Sequence, residues 1–245
     1  TVGMQRFAEL VREMIAPESW STVGGPASVT VDGDSLLVDH GAAERYQVLV
    51  LCEKLRVARG MAPKSRYEPS RFDVAARSVQ AKPSLGKAVS FEAGEAVPLN
   101  VILGQLAYQS GVDLQVDHLA LLSANHSESM AAELSVLDQP LEQALQELLQ
   151  PLDLVYYPLG ANRLVITTPY AMQRTMLWEV FAVPANLTTV SDVDQWMDQL
   201  RDRVQRGTWD AAGGSGRMAF DRGSRFIVVR QNPAVLAELA EQLGT

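Results

Sequence analysis

The sequence predicts an α+β chain of three small domains, and three observations carry that prediction. A pattern of features near the start of the chain recurs at its end. The stretch between them holds two matching strand–helix–strand runs. A segment of prolines, serines and basic residues without apolar period, residues 61–83, separates the first pattern from the middle. The boundaries follow: a first small α+β domain over 1–60, a linker over 61–83, a middle domain over 84–170 and a second small α+β domain over 171–245. A chain of 245 residues, 47% apolar and 20% charged, has enough material for two or three small cores and little for long disorder.

The flanking pair reads as a helix–hairpin–helix repeat. With a shift of 189 residues, Phe7, Val11 and Ile15 fall on Trp196, Leu200 and Val204, Trp20 falls on Trp209, and Gly24-Gly25 falls on Gly213-Gly214. Beyond the hairpin the shift is 191, placing Leu36-Leu37-Val38 on Ile227-Val228-Val229 and Cys52 on Leu243. The two extra residues fall in a loop, where insertion costs little.

Each copy opens with an amphipathic helix. Phe7, Leu10, Val11, Met14 and Ile15 share one helical face in the first, and Val193, Trp196, Met197, Leu200 and Val204 do so in the second. Ser191 with Asp194 resembles a capping box, and Pro17 and Gly207 mark the helix ends. Strands are expected over 28–31 and 36–39, then over 217–220 and 226–230, with Asp32-Gly33-Asp34 as the first turn. Asn232-Pro233 opens the second closing helix. A strand-like run at 176–183 precedes the second copy, and the first has none, as if lost by truncation or borrowed.

The middle domain repeats itself as well. Strands at 88–91 and 132–137 each lead to a helix opened by Pro-Leu, at Pro98-Leu99 and Pro140-Leu141. Strands at 112–116 and 152–157 follow, and a last strand at 163–167 closes the unit. This reads as two βαβ-like units that bury one shared core.

These residues carry a resemblance. Val97-Pro98-Leu99 with Leu103, Leu106 and Ser110-Gly111-Val112-Asp113-Leu114 form the first half of a pattern. Leu134-Ser135-Val136-Leu137-Asp138-Gln139-Pro140-Leu141, Ala144-Leu145, Leu148-Leu149 and Asn162-Arg163-Leu164-Val165-Ile166 complete it. The pattern resembles the short N-terminal domain of secretins and TonB-dependent receptors. The flanking copies are similar in outline to the small ring-building domains of secretins. The Ala16-Pro17-Glu18-Ser19-Trp20…Gly24-Gly25 pattern resembles uncharacterised bacterial envelope proteins. The resemblance implies a bacterial periplasmic or envelope location, a protein–protein docking or assembly role, and no catalytic residues. It does not extend to a membrane-embedded secretin β-domain or a receptor barrel, so it implies no pore.

Composition narrows the partners. A net charge of −8 without a basic stripe argues against nucleic acid and against an anionic membrane surface. No apolar run reaches a membrane span. Cys52 stands alone and cannot form an internal disulfide. The opening Thr1-Val2-Gly3 reads as a processed or trimmed start, whose leader would lie outside the chain.

No residue is expected to be catalytic, to bind a cofactor or to ligate a metal. His40, His118 and His126 have no second His or Cys at ligand spacing, and Ser127-Glu128-Ser129 beside His126 supplies no oriented base. Gly213-Gly214-Ser215-Gly216 precedes a strand, so it reads as a tight turn rather than a phosphate cradle. Trp20 and Trp209 read as plugs over each core, and Cys52 as a small buried hydrophobe. Glu142, Glu147 and Asp198 read as solvated helix faces. The expected partner is an envelope protein or a second copy of the chain. The alternative is a small-ligand or peptidoglycan-binding protein, which a deep polar pocket would favour. An enzyme would need a cleft that gathers titratable groups distant in sequence.

Overall fold

The computed structural model describes residues 2–244. In chain order its first elements are α1 (Val2–Met14), β1 (Ser28–Asp32), β2 (Ser35–Asp39), α2 (Ala42–Ala58), α3 (Arg77–Leu85), β3 (Ala88–Glu92) and β4 (Val97–Pro98). Then come α4 (Leu99–Ser110), β5 (Asp113–Val116), α5 (His118–Ser123), β6 (Ala131–Ala132), β7 (Ser135–Pro140), α6 (Leu141–Leu149), β8 (Val155–Gly160) and β9 (Arg163–Thr167). The chain closes with α7 (Pro169–Arg174), β10 (Leu177–Ala182), α8 (Val190–Arg203), β11 (Arg217–Asp221), β12 (Phe226–Gln231) and α9 (Pro233–Leu243). The chain is α+β.

Its division differs from the expected three parts. There are two compact units: one holds Thr1–Ala75 and Leu177–Gln231, the other Ala76–Met176 and Asn232–Thr245. The flanking segments therefore belong to one unit, and the last helix belongs with the middle domain. The physical reason lies in the apolar faces. Trp178, Val180 and Val228 share a core with Val11, Met14, Ile15, Trp20, Val29, Leu51 and Leu55. Helix α9 instead buries Val235, Leu236, Leu239 and Ala240, and it contacts α3, α7 and β8.

In the first unit, β1 and β2 form a two-stranded antiparallel sheet joined by Gly33 and Asp34. Gly33 has φ +58°, as the first position of a type II′ turn requires. The second sheet has three strands in the order β10-β12-β11, all antiparallel. The strand bounds agree with the sequence reading to within a residue. The capping box does not: it is Thr189 with Asp192, not Ser191 with Asp194. The Thr189 Oγ1 accepts the Asp192 N–H at 3.1 Å, and the Asp192 carboxylate accepts the Thr189 N–H at 3.0 Å. Helices α1 and α8 also end ahead of Pro17 and Gly207, at left-handed Ala16 and Gln205, φ 42° and 41°.

The linker expected over 61–83 is ordered. The buried Glu53 carboxylate accepts backbone N–H bonds from Lys64 and Ser65, and the Phe72 ring is fully buried. From Arg77 the chain is already helical, because Ala81 and Leu85 face a core. Their spacing is hidden in sequence by Lys82 and Pro83.

In the second unit, the expected order of elements agrees and the expected pairing does not. Strand β3 pairs with β7, and β5 pairs in parallel with β9, which also carries β8. The leading strands of the two runs thus pair with each other, and the trailing strands form a separate sheet. This arrangement encloses Leu99, Ile102, Leu103 and Leu106 of α4 with Leu141, Ala144, Leu145 and Leu148 of α6 in one interior. A strict βαβ pairing would leave each helix covered on its own small sheet. His118, named above only for its lack of ligand spacing, opens the short helix α5. Asp117 caps it through the Ala120 N–H at 3.0 Å, and Leu121 anchors it.

Candidate functional site

The first unit contains a groove of about 1250 Å³. Phe7 and Leu10 of α1, Leu36 and Val38 of β2, and Val48 and Cys52 of α2 supply its apolar lining. Residues 219–223 at the β11–β12 turn lie along it as well. Burial pushes the Cys52 thiol up to about 11, with the Glu53 carboxylate adding to the rise, so it is a neutral apolar lining group at physiological pH. Its half-buried position departs only slightly from the buried hydrophobe expected.

Strand β2 has no neighbour on its outer side among the described residues. The type II′ turn closes on the Asp32/Ser35 pair, so alternation turns the N–H and C=O of Leu36 and Val38 away from β1. The outer edge of β1 is partly closed, because the Arg12 guanidinium donates to the Val29 C=O at 2.8 Å. In the three-stranded sheet Arg201 donates in the same way to the Met218 C=O at 3.0 Å.

The two halves of this unit share further details. The Trp20 indole N–H donates to the Ile15 C=O at 2.7 Å, and that of Trp209 to the Val204 C=O at 2.7 Å. Both rings are 1% exposed, which fits the plug reading. Gly24 and Gly213 have φ 91° and 86°. A Cβ on Gly25 would overlap the Ser19 backbone, and one on Gly214 the Thr208 backbone. These are the turns the glycines were expected to make.

The structure also creates a serine–histidine–carboxylate line that the sequence reading missed. Ser19 Oγ lies 2.7 Å from His40 Nε2, and His40 Nδ1 lies 3.3 Å from the Glu44 carboxylate. Proton placement is wrong for a nucleophile. Ser19 Oγ donates to the Ala16 C=O at 2.6 Å, and the Gly41 N–H donates to His40 Nδ1 at 2.7 Å. With its one hydroxyl hydrogen directed at the Ala16 C=O, Ser19 does not present that hydrogen to His40 Nε2. At the matching place Gln231 donates to Thr208 Oγ1 at 2.8 Å. Glutamine cannot act as a base, so what the two places have in common is a tie between a strand end and a hydroxyl.

In the second unit His118, His126, Ser127 and Glu128 line one shallow pocket of about 310 Å³. His118 Nδ1 lies 3.0 Å from the Glu128 carboxylate on a side chain that is 69% exposed. Ser127 Oγ pairs with Ser129 Oγ at 3.1 Å rather than with an imidazole. Among the described residues no group of three or more His, Cys, Asp or Glu is placed to hold a metal ion. No helix among them is long and apolar enough to cross a membrane. Glu142, Glu147 and Asp198 are exposed.

No family model matches the chain, and no curated protein matches it. Among solved structures it is similar to the type IV competence pilus secretin PilQ of V. cholerae, with 18% identity and a TM-score of 0.26. That match covers 64% of this chain and 38% of the PilQ chain, so this chain spans less than two fifths of PilQ. It is similar to a dimeric mutant of the N-terminal domain of the secretin XcpQ from Pseudomonas aeruginosa, with 12% identity, 64% and 63% coverage and a TM-score of 0.22. A third is the GspC–GspD complex of the enterotoxigenic Escherichia coli type II secretion system, with 15% identity, 64% and 97% coverage and a TM-score of 0.21. At TM-scores this low the likeness carries no argument about this chain.

Proposed function

We propose that this chain is a non-catalytic protein–protein docking module of a bacterial envelope assembly, and that it docks by accepting a strand at the open edge of β2. The carrying observation is the contrast at matching strands: among the described residues β12 has a neighbour on each side, and β2 has only β1. An unpaired edge beside an apolar groove is the arrangement that strand addition uses, with main-chain bonds for affinity and side-chain sites for selectivity. The two halves of the first unit are read as copies of one motif, and the shared tryptophan, glycine and arginine bonds support that reading. The envelope location rests on the resemblance of residues 84–170 to the short N-terminal domain of secretins and TonB-dependent receptors.

A photo-crosslinking amino acid at position 37 tests the reading in envelope extract. Discrete polypeptide adducts are expected there and none with the same group at position 142 on the exposed side of α6. No adduct at position 37, together with thermal stabilisation by peptidoglycan fragments, would replace docking with small-ligand binding.

A further inference from the structure

The geometry points to the chemistry of the docked segment: an extended strand, antiparallel to β2, with an apolar residue opposite Leu36 and an acidic residue opposite Val38. This rests on the docking reading above and extends it to the occupant. The template is inside the molecule. Strand β10 pairs with β12 so that Phe181 stands opposite Ile227 and Glu179 opposite Val229. Ile227 and Val229 are both 0% exposed. Their matching residues on β2, Leu36 and Val38, are only half-buried. Matching apolar side chains of the two hairpins differ in burial where, among the described residues, one hairpin has a third strand and the other does not.

Charge supports the acidic position. Arg6 and Arg45 line the groove and make no ion pair among those described, whereas Arg59, also on the groove, is held by Asp221 at 3.0 Å. The groove therefore offers Arg6 on α1 and Arg45 on α2 outside the described ion pairs, beside an apolar floor and the lining carboxylates Glu9, Glu13 and Asp34. An extended segment with an apolar and an acidic side chain two residues apart meets the floor and an arginine outside the described ion pairs. The β1 edge is a poorer acceptor, because Arg12 already occupies the Val29 carbonyl.

The test uses the full chain and a labelled peptide with the sequence of residues 176–183, flanked by lysines for solubility. Saturable binding is expected, with amide shifts confined to residues 35–40 and the groove. Val38→Pro removes an outward N–H that β1 does not use, as edge strands tolerate. It should weaken binding at least tenfold with the melting curve unchanged. Arg45→Glu, on an exposed helix position, keeps the test valid if the proline variant unfolds. It should weaken binding at least fivefold, and a peptide with lysine in place of the glutamate should rescue part of the loss. Binding that is indifferent to Val38→Pro and Arg45→Glu overturns the inference, as does no binding at all. If the peptide fails but position 37 still crosslinks to a polypeptide, the occupant is wrong and docking stands. If both fail, both readings fall. A concentration-dependent dimer that Val38→Pro abolishes would assign the edge to a second copy instead.

Discussion

The hairpin β1–β2 and the sheet β10–β12–β11 are built by the same local rules and buried to different depths. Each follows an amphipathic helix, a left-handed residue, a tryptophan whose indole N–H returns to the helix end, and a glycine pair. Yet Leu37 is 56% exposed, whereas Val228 at the matching place is 0% exposed. Local sequence sets the hairpin; a third strand and an apolar layer on the second face set the burial. Val228 shares a core with Val11, Met14 and Leu51, and nothing among the described residues covers Leu37 in that way.

The largest expected effect tests that difference directly. Val228→Asp buries an unpaired carboxylate and should cost about 5 kcal/mol or leave the first unit unfolded. Leu37→Asp should stay within about 0.5 kcal/mol. Urea unfolding of the two variants checks the pair, and equal losses would break the comparison. Next come Trp20→Phe and Trp209→Phe. Each strands one buried backbone carbonyl, at Ile15 or Val204, and each should cost about 2 kcal/mol. A much smaller loss at Trp20 would show that the two-stranded half closes less tightly.

A smaller effect concerns the tie at the strand end. His40→Gln substitutes the residue that does the same work at Gln231, and should hold stability within about 0.5 kcal/mol. His40→Ala should lose about 1 kcal/mol. If glutamine is no better than alanine, the two ties are not equivalent. The smallest effect is a slope with pH. Burial alone would raise the Asp221 carboxyl, but bonds from Ser224 and Arg59 outweigh it and hold it below the ordinary carboxylate value. A carboxyl lowered in the folded state contributes stability at neutral pH and loses it as pH falls through its folded value. Asp221→Asn should remove that part of the acid-side slope in unfolding curves recorded down the acid range.

Much of the local architecture is legible from residue types alone. Pro98-Leu99 and Pro140-Leu141 open α4 and α6, Asn232-Pro233 opens α9, and the strands of the first unit fall within a residue, whereas β7 and β8 each lie three residues later than the expected 132–137 and 152–157. Proline just before a helix, as at Pro98 and Pro140, or at its first position, as at Pro233, and alternating apolar residues act over a few neighbours, so sequence shows them. Helix α3 escapes that reading because Lys82 and Pro83 interrupt its apolar spacing, and only the core around Ala81 and Leu85 makes it a helix. Helix α5 depends on the Asp117 cap and the burial of Leu121, neither of which has a periodic signature in six residues.

The groove was not legible at all. It is lined by α1, β2, α2 and the β11–β12 turn, which are brought together from positions as far apart as Phe7 and Asp221. The serine–histidine–glutamate line likewise joins Ser19 to His40 across the hairpin. Its chemistry depends on where the Ser19 hydroxyl hydrogen points, which the Ala16 C=O decides.

By itself the sequence determined the hairpins and their turns, the Asn232 cap of α9, and the apolar stripes that must be covered. These depend on contacts between near neighbours, where residue type decides geometry. The tertiary structure alone decided which stripe covers which. It joined the two hairpin halves in one interior, sent α9 to the other unit, and gave β12 a neighbour that β2 lacks. Apolar burial is non-directional, so a stripe states how much surface must be hidden but not what will hide it.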